Sequence, residues 1–235
     1  MTDQSRFEFK YQLNTFEYLK LKNNLKGFAF LDFYSKRSQG KYFIRSLYYD
    51  TYDYRAYGEK VTGEQNRIKL RIRTYMSAAQ ETEFVSVELK TRHGNKIAKF
   101  STHAPYADYM DYLNTGLWRN PDPVLIEFDR LRRLQALRPK VLVDYEREAY
   151  LPKDRSSVRI TFDHHMRYAL ATELYPKKAS FRCKDSGLII LEFKFADDDH
   201  HLWLEKIVAQ HGLQSVPNSK YVHGIEQTQQ AMFFK

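Results

Sequence analysis

The sequence predicts a β-dominated α+β fold whose strands close around a lumen of charged side chains, with helices packed outside. The first observation behind this prediction is residues 66–75 (NRIKLRIRTY), where cations alternate with large aliphatic residues. Side chains of a strand point alternately to its two faces, so one face carries Arg67, Lys69, Arg71 and Arg73. A helix of about 3.6 residues per turn would scatter these charges around its axis. Residues 66–75 are therefore predicted to form a strand.

The second observation is that the alternation recurs along the chain, in residues 6–11, 87–92, 141–147, 159–163 and 191–195. Each segment has a charged face of Arg, Lys, Glu or Asp backed by an apolar one. A solvated outer face over an aliphatic core would explain a single strand of this kind. The repetition favours a closed structure, with apolar side chains outward under helices and charged ones inward. A lumen of cations with a few carboxylates suits a polyanion, with the carboxylates holding a divalent metal.

The composition supports this fold class and limits the function. Aromatic residues make up 15% of the 235 residues, which favours strands, and no repeat or linker divides the single domain predicted over 1–235. A net charge of +9 indicates an anionic partner, either nucleic acid, a phosphorylated metabolite or an acidic membrane surface. Cys183 is the lone cysteine, and neither a signal peptide nor a membrane span is found. A cytoplasmic protein is therefore expected.

The elements follow in order from local patterns. After the first strand, a helix is predicted at 15–25, capped by Asn14 or Thr15, with an apolar stripe of Phe16, Leu19, Leu21 and Leu25. A turn or short helix is predicted at 51–58, and His93-Gly94-Asn95 is expected to close a hairpin. Further strands are predicted at 44–50, 66–75, 88–92, 96–101, 140–150, 158–163 and 188–195. Further helices are predicted at 106–117, 124–137 and 200–211 and near the end of the chain.

Motifs that the sequence lacks narrow the chemistry. It contains no Gly-rich phosphate loop followed by Lys-Ser or Lys-Thr, no GxGxxG, no HExxH and no zinc-ligand spacing. His164-His165 and His200-His201 are adjacent pairs whose side chains point apart, so both pairs are predicted to lie at the surface rather than to bind metal.

Eight short motifs, in this order, resemble those of the VTC polyphosphate-polymerase domain, a branch of the triphosphate tunnel metalloenzymes. They are RFEFKY at 6–11, SLYYDT at 46–51, KLRIRTY at 69–75, VELK at 87–90, YER at 145–147, RITFD at 159–163, LEFK at 191–194 and SKY at 219–221. The resemblance covers nearly the whole chain. It implies an antiparallel β-tunnel of roughly eight strands with helices outside. Arg6 replaces the first of the paired glutamates that begin the broader tunnel family, which favours the VTC branch.

The resemblance also implies an activity and a set of residues. VTC polymerases transfer the γ-phosphoryl group of ATP to a growing polyphosphate chain, with Mn²⁺ or Mg²⁺ as cofactor. By position in the motifs, the residues expected to act on the phosphates in catalysis are Lys10, Arg71, Arg73, Lys90, Arg147 and Lys220. Those expected to bind substrate are Arg6, Lys69, Lys99, Tyr145, Arg159, Lys194 and Ser219. Those expected to hold the metal are Glu192, Glu8 and Glu88.

Two other functions remain open. A hydrolase of triphosphate or short polyphosphate would use the same cations, with Glu8 or Glu88 orienting water. A non-catalytic domain that binds polyphosphate or nucleotide is the other. The expected partners are ATP or another triphosphate, and polyphosphate or pyrophosphate. Specific nucleic-acid binding is not expected, because the aromatic residues alternate onto the face opposite the cations. A membrane partner remains possible for a chain without a membrane segment.

Overall fold

The computed structural model describes residues 6–94, 96–183, 185–196 and 202–229. The strands are β1 (Arg6–Leu13), β2 (Ala29–Leu31), β3 (Tyr42–Asp50), β4 (Arg67–Thr74), β5 (Phe84–His93), β6 (Lys96–Pro105), β7 (Arg138–Pro152), β8 (Arg159–Leu170), β9 (Arg182–Cys183) and β10 (Ile189–Ala196). The helices are α1 (Thr15–Leu25), α2 (Phe33–Arg37), α3 (Arg55–Val61), α4 (Tyr106–Thr115), α5 (Pro123–Leu134), α6 (Leu202–Gln210) and α7 (Lys220–Gln229), with a 3-10 turn at Ala79–Glu81. None of the helices in these ranges is long and apolar enough to cross a membrane.

The strands are hydrogen-bonded in the order β1-β10-β8-β7-β3-β4-β5-β6, with β2 beside β7 and β9 beside β8. The pairs with assigned register are antiparallel. The predicted fold class, a β-dominated α+β fold with antiparallel strands, is therefore confirmed. Closure of the strands into a tunnel stays a prediction.

The chain forms two compact units. Of the described residues, unit 1 comprises 6–43, 145–166, 183, 185–196 and 202–219, and unit 2 comprises 44–94, 96–144, 167–182 and 220–229. The single domain over 1–235 stays a prediction.

Helix α1 of unit 1 begins where the sequence predicts, because Asn14 and Glu17 cap it reciprocally. The Asn14 side chain accepts a hydrogen bond from the Glu17 amide at 2.9 Å, and the Glu17 carboxylate accepts one from the Asn14 amide at 2.8 Å. The predicted apolar stripe is wrong in part, since Phe16 is 74% exposed and Leu19 is 56% exposed. Tyr18 takes the inward position instead.

Tyr18 faces inward because its hydroxyl donates to the buried Glu148 carboxylate at 2.6 Å. The Tyr150 hydroxyl donates to the same carboxylate at 2.5 Å, and Lys22 Nζ lies 2.6 Å from it. Burial raises the pKa of Glu148, but the nearby His164 ring and these three donors lower it by more, to about 2. This network fixes α1 against β7, and the apolar core of unit 1 surrounds it.

In unit 2, strands β3, β4, β5 and β6 follow one another, and α4 and α5 pack on one face of them. Asp122 caps α5 by accepting from the amides of Val124 and Leu125. The helix ends earlier than the predicted residue 137. Ala136 has a φ of 51°, so the chain turns there, which buries Leu137 while leaving Leu134 exposed.

Three short elements were not predicted from the sequence, namely β2, α2 and β9, whereas the 3-10 turn lies within residues 77–82, which are predicted to form a turn. The prediction for His164 was wrong. Its side chain is buried, with its ring edge-on to Tyr18, whereas His165 is exposed and lies 2.9 Å from Glu146. Asn95 of the predicted hairpin, the His200-His201 pair and the chain beyond Gln229 lie outside the described residues.

Candidate functional site

The strand register of unit 2 gathers three cations around one carboxylate. Arg71 of β4 lies opposite Glu88 of β5, and its Nε donates to Glu88 at 2.6 Å. Lys99 Nζ of β6 lies 3.1 Å from the same carboxylate, and an Arg73 guanidinium nitrogen lies 3.4 Å from it. We call Arg71, Arg73, Lys99 and Glu88 the arginine cluster. Three cations against one carboxylate leave it with a formal charge of +2, which suits an anionic ligand.

Burial and neighbouring charges perturb the protonation of this cluster. Burial alone raises the pKa of Glu88. The charges of Arg71, Arg73 and Lys99 lower it by a larger amount, so the net pKa lies well below the usual value for a glutamate. The pKa of Lys99 is also lowered, first by burial and then by Arg71 and Arg73, against the opposing effect of Glu88. Glu88 thus carries its charge at neutral pH, and it lies among cations rather than beside another carboxylate. This geometry favours a role in holding the arginines over the predicted role in holding metal.

Like charges also face each other directly on neighbouring strands of unit 2. Lys69 of β4 lies opposite Lys90 of β5, and Lys90 lies opposite Lys99 of β6. Arg67 and Arg92 form a second pair of this kind. Like charges directly opposite one another destabilise a sheet, and negative charge beside them offsets this, as Glu88 does 3.1 Å from Lys99. More negative charge would stabilise these opposed lysines further. A bound polyanion would supply that charge.

Sequence reasoning missed Tyr48 and Ser46 of β3, which contact the arginine cluster. Arg71 donates to the Tyr48 hydroxyl at 3.1 Å, and Arg73 Nε donates to Ser46 Oγ at 3.2 Å. Burial raises the pKa of Tyr48, but Arg71, Arg73 and Lys220 lower it by more, so the net pKa is lowered. Ser46 and Tyr48 stand two apart in a strand, so they share a face, and that alternation was the available signal.

Lys220 begins α7, and the next residue fixes that helix to unit 2. The Tyr221 hydroxyl donates to the buried Asp50 carboxylate, which also accepts from the amides of Thr51, Ala56 and Tyr57. The Tyr221 ring lies 4.9 Å from Lys69 Nζ. The Tyr221 ring also lies 5.5 Å from the Tyr48 ring, and the Tyr48 hydroxyl accepts from Arg71, so aromatic contacts connect Lys69 to the arginine cluster.

In unit 1, the predicted metal residue Glu192 lies among cations on β1, β7 and β10. Its carboxylate is 3.7 Å from Lys10 Nζ, 3.5 Å from Lys194 Nζ and 3.9 Å from Arg147. Glu8 lies 3.9 Å from the same Lys10 nitrogen. Arg147 also donates two hydrogen bonds to Asp163, at 2.6 and 2.8 Å.

We call this set the Glu192 cluster, made of Lys10, Lys194, Arg147, Glu192, Glu8 and Asp163. Its three cations and three carboxylates cancel in formal charge. Asp163 is a member that was not predicted as a site residue. Burial alone lowers the pKa of Arg147, but Asp163, Tyr145 and Glu192 raise it by more, so Arg147 keeps its charge.

Glu8 and Glu192 fit a divalent ion better than Glu88 does. The carboxylates of Glu8 and Glu192 both lie within 4 Å of the Lys10 ammonium group. The space between the two carboxylates therefore already accommodates a positive charge. Carboxylate oxygens are the ligands that Mg²⁺ and Mn²⁺ prefer. Within the described residues, no group of three or more His, Cys, Asp or Glu side chains could hold a metal ion. Phosphate oxygens and water would therefore have to supply the remaining ligands, as is common for Mg²⁺.

The remaining predicted residues lie around the Glu192 cluster or outside it. Tyr145 is buried, with its ring 5.3 Å from the Arg147 guanidinium. Arg159 lies opposite Lys194 in register, but its guanidinium is 3.1 Å from Asp32, the cap of α2. Ser219 is half-buried and directly precedes α7. The side chain of Arg6 lies outside the described part of the chain.

The chain is similar to known proteins in sequence and in fold. The VTC domain family matches residues 5–229. The fold is similar to the crystal structure of a Bacillus halodurans protein named as a candidate adenylate cyclase, with a TM-score of 0.58 and 14% identity over 100% of both chains. The PH1819 protein of Pyrococcus horikoshii OT3 gives a TM-score of 0.47 at 14% identity, over 92% of this chain and 96% of that one. No curated protein matches the sequence. Because the family match spans nearly the whole chain, this protein belongs to the VTC domain family.

Proposed function

We propose that this protein is a metal-dependent polyphosphate polymerase that transfers the γ-phosphoryl group of ATP to a growing polyphosphate chain. The observation that carries the proposal is the arginine cluster, where Arg71, Arg73 and Lys99 converge on one buried carboxylate. Membership of the VTC domain family supports the same substrate class.

The chemistry needs charge neutralisation more than a protein nucleophile. A terminal oxygen of the acceptor chain attacks the γ-phosphorus of ATP, a new P–O–P bond forms, and the bond to the β-phosphate oxygen breaks to release ADP. The transferred group is loosely bonded in the transition state, so positioning and electrostatics provide most of the acceleration. The guanidinium forks of Arg71 and Arg73 suit phosphate oxygens because each can donate two parallel hydrogen bonds.

The Glu192 cluster is proposed to hold the divalent ion. Glu192 and Glu8 would ligate it, and Lys10 and Lys194 would bind phosphate oxygens beside it. When bound, the ion would offset negative charge on the phosphate oxygens that Lys10 and Lys194 bind.

The lysines that lie opposite one another on β4, β5 and β6 favour a polymeric phosphate acceptor over water as acceptor. An incoming polyanion is repelled by a bound triphosphate unless further cations offset its charge. Lys69, Lys90 and Lys99 lie opposite one another on three strands, and Arg67 and Arg92 extend the row. These cations exceed what a single triphosphate requires.

The experiment that tests the proposal is incubation with ATP and Mn²⁺ or Mg²⁺, followed by gel separation of the products. Chains that an exopolyphosphatase digests are expected, and pyrophosphate should shorten the lag by acting as primer. Orthophosphate released without chains at any time point would identify a hydrolase instead. Binding of triphosphate without turnover would identify a non-catalytic domain.

A matched pair of variants connects the activity to the arginine cluster. Arg71→Ala removes one preorganised donor and should lower kcat/KM by about 100-fold or more. Arg130→Ala removes an exposed arginine of α5 that pairs with Glu127 at 2.6 Å, and should leave the activity unchanged. Equal activity of the two variants would exclude the arginine cluster as the substrate site.

A further inference from the structure

Thr161 and Asn218 are among the side chains of unit 1 that have buried polar atoms without a hydrogen-bond partner in the described part of the chain. Thr161 is 1% exposed and its hydroxyl is unpartnered, and Asn218 is 6% exposed with both atoms of its carboxamide unpartnered. Unsatisfied buried polar groups are costly and uncommon, so each one calls for a physical explanation.

Both residues lie beside Lys10 of the Glu192 cluster. Thr161 of β8 is directly opposite Glu192 of β10, which is itself opposite Lys10 of β1, so the three side chains share one face of the sheet. Lys10 Nζ donates to the Asn218 carbonyl oxygen at 3.1 Å, and the Val216 amide donates to the Lys10 carbonyl oxygen at 2.8 Å. The segment containing Asn218 therefore lies along β1 at Lys10.

We propose that Thr161 and Asn218 are phosphate-binding residues, which donate hydrogen bonds to a phosphate oxygen held by Lys10 and Lys194. This inference rests on the proposed function, because it names two further contacts of its phosphate substrate. A phosphate oxygen only accepts hydrogen bonds, and the Thr161 hydroxyl and the Asn218 amide nitrogen can both donate them. Because no group in the described residues accepts from these donors, they can bind the ligand without first breaking another hydrogen bond.

The proposal predicts opposite effects on stability and binding. Thr161→Val keeps the shape of the side chain and removes a hydroxyl that has no partner in the described ranges of the chain. The phosphate-free protein should therefore unfold at an equal or higher temperature, since replacing an unsatisfied group by an apolar one removes its desolvation cost. Pyrophosphate affinity should fall about tenfold, the loss expected for one hydrogen bond to a charged group.

The test measures melting temperature and calorimetric affinity for pyrophosphate, for tripolyphosphate and for Mn²⁺ alone, in wild type and variants. Asn218→Leu should repeat the result of Thr161→Val at the second residue. Thr161→Ser keeps the hydroxyl and should keep the wild-type affinity. Thr82→Val is the matched control in unit 2, because Thr82 is also buried but its hydroxyl donates to the Ala78 carbonyl oxygen at 3.0 Å. That control should lose stability and bind pyrophosphate normally.

Each outcome is decisive. The proposal would be overturned if Thr161→Val and Asn218→Leu both bound pyrophosphate with wild-type affinity. It would also be overturned if these variants bound Mn²⁺ alone more weakly than wild type but bound phosphates normally. A lower melting temperature of phosphate-free Thr161→Val would also overturn it, since the hydroxyl would then serve an ordered water and a structural role. Wild-type protein that binds pyrophosphate but makes no chains would refute the polymerase and leave this inference standing. Wild-type protein that binds none of the phosphates would refute both.

Discussion

Glu88→Gln separates the two roles that this carboxylate could have. The substitution keeps the shape of a side chain that is 2% exposed and removes the negative charge among Arg71, Arg73 and Lys99. Breaking a buried ion pair from one side leaves an uncompensated charge, and Arg73 is itself buried, so we expect a loss of about 3 kcal/mol in the free energy of unfolding. For a chain of this size, that loss lowers the melting temperature by about 10 °C.

Tripolyphosphate should rescue this variant, because its charge replaces the missing carboxylate. The rise in melting temperature on adding tripolyphosphate should therefore be larger in Glu88→Gln than in wild type, as measured by thermal unfolding with and without the anion. Glu127→Gln is the control, since this exposed residue pairs with Arg130 at the surface and should lose less than about 1 kcal/mol. The reasoning fails if Glu88→Gln keeps wild-type stability and instead loses affinity for Mn²⁺, as a metal ligand would.

Three further predictions follow from the charges. Glu192→Gln should abolish the stimulation of turnover by Mn²⁺ while circular dichroism shows a folded protein, and full activity would exclude Glu192 as a metal ligand. The pKa of Lys99 is lowered by burial, Arg71 and Arg73, and bound phosphate favours its charged form. Tripolyphosphate affinity should therefore fall as pH rises through that lowered pKa, and calorimetry should show a weaker fall in Lys99→Arg. Glu148 has its pKa lowered from 4.5 to about 2, so its roughly 3 kcal/mol of stability is present above pH 4.5 and lost towards pH 2. Urea unfolding of Glu148→Gln should show a weaker loss of stability over that range, and equal acid sensitivity would contradict the assignment.

The sequence predicted the strands of the candidate site well because their pattern is local. Alternation of cations and aliphatic residues in 66–75 specifies both a strand and the face that each side chain takes. The capping of α1 by Asn14 was predictable for the same reason, since it involves residues three apart. The sequence pattern predicted less reliably which side chains of a helix are buried when several apolar residues could face inward, as with Leu19 and Tyr18 of α1. A distant partner, Glu148, decides that case.

By itself, the sequence determined that this protein is β-dominated, that its strands carry charged faces, and that it resembles the VTC domain. Only the tertiary structure decided which charges meet. It placed Glu88 among three cations, and it aligned Lys10, Glu192 and Thr161 on three strands that are far apart in the chain. Strand register depends on contacts between distant segments, so no local period encodes it. The sequence likewise does not show that the Thr161 hydroxyl lacks a partner among the residues that the structure describes, because burial and hydrogen bonding are properties of the folded chain.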